Sequence, residues 1–271
     1  MSPRWFFRNL VMSWRARGDV GNFLKRLVWI YSPKLPGNLK LSEYCIRFRY
    51  PEPVGTVRLV VRDNKGADNF IHSEVFEHEY YRLPLADHPR TILDLGSNIG
   101  LTAVYFGRLY PAAKIACVEP MPGNLRILEK NLQLNSISAT VFAAAAHSHD
   151  GTLLMEVGER DYGHKVAGPQ TASKRVLKVS SISIPTIMRE LQWPQIDLLK
   201  MDIEGHESTL LMSDPQWLRQ VQTLCIELHI GSGEIELRSL AATFGYGEPV
   251  CRSGLWFMSR VPKEAEARHM K

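Results

Sequence analysis

The sequence predicts an α/β fold in which a doubly wound, mostly parallel sheet ends in an antiparallel edge. From Thr91 onward, short apolar segments alternate with amphipathic ones at a spacing typical of right-handed βαβ units. A glycine-containing turn follows the first apolar segment, as in open α/β sheets that bind ligands. The 271 residues, 45% of them hydrophobic, suffice for one full-sized core. We therefore expect an extension over residues 1–75 and one main domain over residues 76–271.

The extension begins with a basic, aromatic and amphipathic stretch over residues 1–30. Its apolar residues alternate with Arg4, Arg8, Arg15 and Arg17. Two interpretations stay open, a helix that packs on the main domain and a segment that lies on an anionic membrane surface. Further along, alternation of apolar and polar residues predicts peripheral strands over 44–49 and 57–62.

The first half of the main domain contains three predicted strands and two helices. Pro111 ends the first helix, and Pro122 suits the first turn of the second. The predicted order is strand 91–95, helix 101–110, strand 114–118, helix 123–134 and strand 140–144.

The second half continues the alternation less regularly. Two strands, 152–157 and 176–179, frame a polar loop and precede a helix over 185–191. Apolar runs predict buried strands over 196–201 and 221–228. Turn residues in the middle of 245–258 predict a closing antiparallel hairpin.

The turn after the first strand reads DLGSNIG over residues 94–100. A phosphate-binding P-loop is disfavoured, because Leu101 follows Gly100 where that motif needs lysine before Thr102. A dinucleotide fingerprint is also disfavoured, because the glycine spacing differs and Asp94 would repel a pyrophosphate. An acid in this turn favours a cationic, zwitterionic ligand with an amino group and a sulfonium.

Glu119 ends the second strand, where an acid can accept hydrogen bonds from ribose hydroxyls. The glycine spacing of the turn disfavours the main rival class, an NAD-dependent oxidoreductase. The intact turn disfavours a degenerate, non-catalytic binding scaffold.

A second dense cluster reads DLLKMDIEGHE over residues 197–207. The two-residue period of a strand places Lys200, Asp202 and Glu204 on one side. The same period places Glu227 and His229 on one side of the next strand. Unpaired charges are costly to bury, so we expect these side chains at the open mouth of the sheet.

These motifs resemble the FkbM family of methyltransferases. The two signatures are ILDLGSNIG at 92–100 and DLLKMDIEGHE at 197–207, and the second is the more specific. Shorter matches are FEHEYY at 76–81, VEP at 118–120 and IELH at 226–229. The resemblance implies a class I (Rossmann-like) methyltransferase fold with a seven-stranded sheet, S-adenosylmethionine as the methyl donor, and O-methylation of a sugar or natural-product hydroxyl.

The resemblance also implies the residues that bind the cofactor. Glu119 would contact the ribose, with Pro120 beside it, Ala145 would lie at the adenine, and Asp202 would complete the pocket. The methionine and ribose end would be lined by Asp94, Gly96, Ser97, Asn98 and Gly100.

His229 is the preferred general base, because an imidazole with its ordinary pKa near 6.5 accepts a proton at neutral pH. The alternative is a structural histidine at the strand end. Asp202 is the second candidate base, supported by Glu204 and Glu227, while Lys200 would pair with these acids or hold an acidic acceptor. A divalent cation is compatible with the three acids, but no metal ligand is predicted.

The expected acceptor is a sugar, glycan or natural product, with RNA, a lipid or no reaction at all as alternatives. The net charge is +5, yet the arginines concentrate at the N-terminus, so we expect no nucleic acid in the cleft. Four scattered cysteines favour the reducing cytoplasm. Peripheral membrane contact through residues 1–30 would suit a lipid-linked sugar.

Overall fold

A computed structural model describes residues 20–34, 36, 41–85, 87–158, 165–166, 176–229 and 233–260. Residues 1–19, which carry most of the predicted amphipathic stretch, lie outside this part of the chain. The last residues of the amphipathic stretch belong to helix α1, Val20–Tyr31. Among the described residues, no helix is both long and apolar enough to cross a membrane.

The remainder of the extension contains the two predicted strands, β1 (Glu43–Arg49) and β2 (Thr56–Arg62), which pair antiparallel. Helix α2 (Ala67–His72) follows and continues into a π-helical turn, Ser73–Glu77. Neither was predicted, because six residues are too few to show a helical period.

The main domain supplies the remaining elements. In chain order they are β3 (Thr91–Leu95), α3 (Leu101–Leu109), β4 (Lys114–Val118), α4 (Pro122–Leu134), β5 (Ala139–Phe142), β6 (Ala145–Ala146), β7 (Gly151–Glu156), β8 (Lys165–Val166), β9 (Val176–Ile182), α5 (Ile184–Leu191), β10 (Ile196–Met201), α6 (Glu207–Ser213), β11 (Val221–Glu227), α7 (Gly233–Phe244), β12 (Val250–Arg252) and β13 (Leu255–Ser259).

The central sheet has seven strands in the order β12-β13-β11-β10-β3-β4-β5. Five of them, β11 to β5, run parallel, and β13 pairs antiparallel with both β11 and β12. This confirms the predicted doubly wound sheet with a hairpin at its edge. The chain winds outward from β3 in one direction and from β10 in the other, so the carboxyl ends of these two strands form the switch point where such sheets bind ligands.

A second, four-stranded sheet has the order β6-β9-β7-β8. Its strands β7 and β9 are the two predicted around the polar loop, and they pair with each other. The strand predicted over 140–144 was too long, because β5 ends at Phe142 and Ala145 belongs to β6 in the second sheet. The chain therefore passes from the central sheet to the second sheet directly after β5.

Buried apolar side chains cover both faces of the central sheet. One cluster joins α3 and α4 with Trp29 and the β1–β2 hairpin, and the other contains α5, α6 and α7. The buried side chain of Asn131 on α4 connects the hairpin to the domain. Its amide donates to Val60 O (3.0 Å) and Ile99 O (2.8 Å), and its oxygen accepts from Val60 N (2.6 Å).

Candidate active site

A cavity of about 350 Å³ opens at the switch point of the central sheet. Asp94 and Gly100, which were predicted to bind the cofactor, do not line this cavity. The predicted residues that line the cavity are Gly96, Ser97, Asn98, Glu119, Pro120, Ala145, Lys200, Asp202, Glu204, Glu227 and His229. The structure thus brings the two sequence clusters together around one space.

Gly96 is where the two clusters touch. It has φ +76°, and a Cβ on it would lie 1.8 Å from the carbonyl oxygen of Asp202. The amide of Asp202 in turn donates to Leu95 O (3.2 Å). Only glycine permits this backbone contact, which joins the turn after β3 to the end of β10.

The turn is further stabilised by its own polar groups. Ser97 Oγ donates to Asp94 O (2.8 Å), and the amide of Asn98 donates to Glu119 Oε2 (2.9 Å). The side-chain oxygen of Asn98 is buried and accepts no hydrogen bond from the described protein atoms. Asn98 lines the cavity, but this oxygen is not accessible from it in the structure.

Glu119 is only 4% exposed, and three hydrogen bonds hold its carboxylate in place. Besides Asn98, the amide of Met121 (2.9 Å) and the side-chain amide of Asn124 (3.1 Å) donate to it. Burial raises the pKa of this carboxyl, and the three donors oppose that shift. Each carboxylate oxygen has two lone pairs; Oε1 accepts two of these bonds and Oε2 one, so Oε2 can accept one further bond from a ligand.

Asp94 and Lys200 form a buried ion pair of 3.1 Å at the cavity wall, where Lys200 is a lining residue and Asp94 is not. Lys200 Nζ also donates to Gly96 O (2.8 Å) and lies 3.8 Å from Asp202 Oδ2. Burial raises the pKa of Asp94, against the opposing effect of Lys200. Asp94 therefore supports the turn through Lys200 and does not face the cavity.

His229 lies at the centre of a group of carboxylates. Its Nδ1 is 3.1 Å from Glu207 Oε1. Three further carboxylate oxygens surround Nε2, from Asp202 at 3.9 Å, Glu204 at 3.8 Å and Glu227 at 3.9 Å. These distances exceed a hydrogen bond, so Nε2 remains open toward the cavity.

The hydrogen bond that His229 Nδ1 donates to Glu207 raises the pKa of His229 to about 9, and the charges of Glu207, Asp202 and Glu227 act in the same direction. This differs from the ordinary value near 6.5 on which the sequence argument relied. In the absence of cofactor and acceptor, the imidazole of His229 is therefore protonated at neutral pH.

Glu207 is the positioning residue for His229, and the sequence argument missed this role. Its buried carboxylate accepts hydrogen bonds from the amides of Ile203 (2.9 Å) and Gly205 (3.0 Å) at the start of α6. Burial opposes ionisation, but His229 and the backbone donors lower the pKa of Glu207. Its position at the end of the second signature was an available signal.

The family model described as the methyltransferase FkbM domain matches residues 94–242, more than half of the chain. The chain belongs to the FkbM methyltransferase family. The match starts at Asp94 in the glycine turn and includes every acid around His229.

Two curated methyltransferases are similar in sequence to this FkbM chain. Methyltransferase sdnD of Sordaria araneosa is 29% identical over 197 residues, covering 60% of this chain and 76% of the relative. Methyltransferase 1 of Beauveria bassiana is 24% identical over 187 residues, covering 61% and 75%.

Solved structures show a weaker likeness. A precorrin-6y C5,15-methyltransferase from Geobacter metallireducens aligns with TM-score 0.41 and 12% identity over 67% of this chain and 84% of that chain. A putative RNA methyltransferase from Pyrococcus horikoshii aligns with TM-score 0.38 and 14% identity over 88% and 100%. The strand order described above establishes the fold independently of these alignments.

One wall of the cavity lies outside the matched FkbM region and was not predicted. It is formed by α2, the π-helical turn and the chain beyond, with Phe70, Ile71, Glu74, Val75 and Tyr81 as lining residues. Burial raises the pKa of Glu74 to about 7, aided by the charges of Glu227 and Asp202. The FEHEYY match at 76–81 adjoins this wall and was the available signal.

Asp202, Glu207 and His229 also satisfy the spacing of a metal site. Their ligand atoms lie within 4.8 Å of one another. This set differs from the three acids considered from sequence, because Glu207 and His229 take the place of Glu204 and Glu227. We assign no metal to it.

Proposed function

We propose that this FkbM-family protein transfers a methyl group from S-adenosylmethionine to a hydroxyl of a sugar, glycan or natural product. The observation that carries the proposal is the shared cavity, which joins the glycine turn and Glu119 to the cluster around His229. S-adenosylmethionine supplies an electrophilic methyl group on a sulfonium, and the protein must supply binding, alignment and a proton acceptor.

The cofactor half of the cavity fits this ligand in its polar groups and charge. Glu119 lines the cavity and keeps one lone pair, on Oε2, for a ribose hydroxyl. Pro120 and Ala145 line the part of the wall assigned to the adenine. Asp202 adds negative charge, which favours a sulfonium.

Lys200 takes a positioning role in this proposal; of the two roles expected from sequence, pairing with an acid is kept and holding an acidic acceptor is not. Its ammonium is buried between Asp94 and the Gly96 carbonyl, so it stabilises the turn that would hold the cofactor. Asp94 contributes through this pair. Both act on the cofactor indirectly.

His229 accepts the acceptor's proton in this proposal, and Glu207 orients the ring. Nε2 lies among three carboxylates that line the cavity, while Nδ1 is held by Glu207. The His229 ring must first lose its proton, because the neighbouring carboxylates stabilise the protonated form. Asp202, Glu204 and Glu227 would then stabilise the imidazolium that forms again during the reaction.

The charge of the cavity supports a carbohydrate or natural-product hydroxyl over RNA. Glu74, Asp202, Glu204 and Glu227 line it together. Such a surface repels a phosphate backbone. The lipid and scaffold alternatives are decided by the assay below.

The first test is ligand-induced stabilisation, measured as the thermal shift with S-adenosylmethionine, its demethylated product and NAD. A ligand at 100 times its dissociation constant adds about 2.7 kcal/mol to the free energy of unfolding. We expect a shift with the first two only. A shift with NAD alone would overturn the cofactor proposal.

The second test supplies labelled S-adenosylmethionine with nucleotide sugars, lipid-linked glycans, polyhydroxylated natural products and RNA. We expect alkali-stable ether label on a hydroxylated acceptor, and loss of that label in His229→Ala. Label on RNA alone would remove the proposed acceptor class. Cofactor binding without transfer to any acceptor would favour the scaffold.

A further inference from the structure

Helix α1 has one face that is firmly packed against the rest of the protein. Arg26, Trp29 and Ile30 are buried on this face. Trp29 Nε1 donates to Arg62 O (2.7 Å), and Arg26 pairs with Glu77 on the π-helical turn. The helix is therefore anchored to β2 and to the wall of the cavity.

The opposite face of α1 is apolar and exposed. Val20 is 65% exposed, Leu24 54% and Val28 42%. Their four-residue spacing places them in one stripe about 12 Å long, and exposed Lys25 lies beside it. No described residue covers this stripe. Contiguous exposed apolar residues of this kind mark sites of interaction with a partner or a membrane.

The sequence immediately before α1 has matching chemistry. Residues 1–19 contain four arginines and a single acid, Asp19. Their apolar residues include large aromatic ones and recur at helical spacing; they are Trp5, Phe6, Phe7, Leu10, Val11 and Trp14. Apolar and basic residues are therefore combined directly before the exposed stripe in the sequence.

We propose that helix α1 binds an anionic membrane surface, with Val20, Leu24 and Val28 inserted among the lipids. An exposed aliphatic stripe that follows an aromatic, arginine-rich sequence is typical of segments that bind at the membrane interface. The arginines complement anionic headgroups. An intramolecular cover of the stripe by residues 1–19 would use the apolar residues but not this charge.

Such binding would place the membrane on the outer side of a helix that packs against the cavity wall. On the inner side of this helix, Trp29 contacts His72 at the end of α2, with ring centroids 5.5 Å apart. On the same short helix α2, Phe70 is 62% exposed and lines the cavity. The membrane inference does not depend on the proposed reaction.

The test is co-sedimentation of the full chain with vesicles of phosphatidylcholine alone or mixed with phosphatidylglycerol. We expect binding to the anionic vesicles, and weaker binding as salt is raised. The combined variant Val20→Ser, Leu24→Ser and Val28→Ser should reduce partitioning by about tenfold or more. A matched control alters equally exposed apolar residues elsewhere, Met212→Ser, Ile235→Ser and Val250→Ser, and should bind as the parent does.

A second variant, Arg4→Gln with Arg8→Gln, Arg15→Gln and Arg17→Gln, should abolish the preference for anionic over neutral vesicles. An unchanged Tm in every variant separates lost binding from misfolding. Failure of the parent chain to bind anionic vesicles would overturn the proposal. So would equal binding by the stripe variant, or a dimer in sedimentation that the stripe variant abolishes, since a second copy would then cover the face.

Discussion

At the scale of single residues, the environment of His229 decides its chemistry. The Glu207 hydrogen bond holds the ring and raises its pKa to about 9. A histidine identified only by its position would have been assigned an ordinary pKa. The difference comes from a buried acid whose own position is set by two backbone amides.

We expect kcat/KM to rise with pH and level off above about pH 9, because only the neutral imidazole accepts a proton. Glu207→Gln should move the midpoint of this rise toward the ordinary value near 6.5. Glu129→Gln, an exposed acid on α4, is the control. A rate that stays constant between pH 6 and 9 would contradict His229 as the base.

The same shift affects stability. Since the folded pKa exceeds the unfolded one, the fold favours the imidazolium. That stabilisation is complete below the unfolded pKa near 6.5 and is lost as pH rises through about 9. Free energies of unfolding from urea titrations across this window should show the loss in the parent and a smaller one in Glu207→Gln.

Gly96 gives a second prediction at this scale. Gly96→Ala would place a methyl carbon 1.8 Å from the Asp202 carbonyl oxygen and would force the turn away from β10. We expect loss of S-adenosylmethionine binding by calorimetry and a lower Tm. Gly123→Ala in helix α4 is the matched control, since its Cβ meets nothing within 4 Å and alanine favours the helix. Equal behaviour of the two variants would refute the close-contact argument.

At the scale of elements, the buried pair of Asp94 and Lys200 connects β3 to β10. Their Cα atoms are register partners in neighbouring parallel strands, so the pair spans the switch point. A buried ion pair is costly to break, because the remaining charge has no partner.

Lys200→Met should therefore lower the free energy of unfolding by about 3–5 kcal/mol in urea titrations. Adding Asp94→Asn should restore much of that loss, because no charge is then left buried without a partner. A strictly additive double variant would show that the two residues do not act as a pair.

The strands were predictable from sequence to different degrees. The apolar runs of β3, β4 and β10 have the predicted boundaries, because strands buried on both faces read as continuous apolar segments. Helix α2 and the π-helical turn were missed, since a short helix shows too little periodicity. Residues on the wall they form, such as Glu74, were missed with them.

The candidate site was predictable where it followed strand ends. The parallel strands bring Glu119, Asp202 and Glu227 to one edge, as their sequence positions indicated. The role of Glu207 could not be derived this way, because it depends on how the chain turns after Met201, where Glu204 has φ +58°. A strand period does not describe such a turn.

At the scale of the whole molecule, the extension shares its core with the main domain. Trp29, Val57 and Ile92 belong to one buried cluster, and Asn131 bonds to both parts. The division at residue 75 stays a prediction about the chain's organisation. The shared core indicates that the hairpin and the sheet unfold together.

Asn131→Ala should test this cohesion, because it leaves buried backbone groups of Val60 and Ile99 without their partner. We expect a loss of about 3 kcal/mol, at roughly 1–3 kcal/mol for each unsatisfied group, and a single transition by both fluorescence and circular dichroism. Gln133→Ala, exposed on the same helix, should change little. Two separate transitions would indicate that the hairpin unfolds independently.

The contact between Gly96 and the Asp202 carbonyl has a consequence for how such proteins diversify. Because this contact is made by main-chain atoms, substitutions of side chains there cannot adjust the distance between the methyl donor and the acceptor. New acceptor preferences are expected to arise in the cavity wall formed by α2 and the π-helical turn, while the glycine turn and the end of β10 tolerate little change.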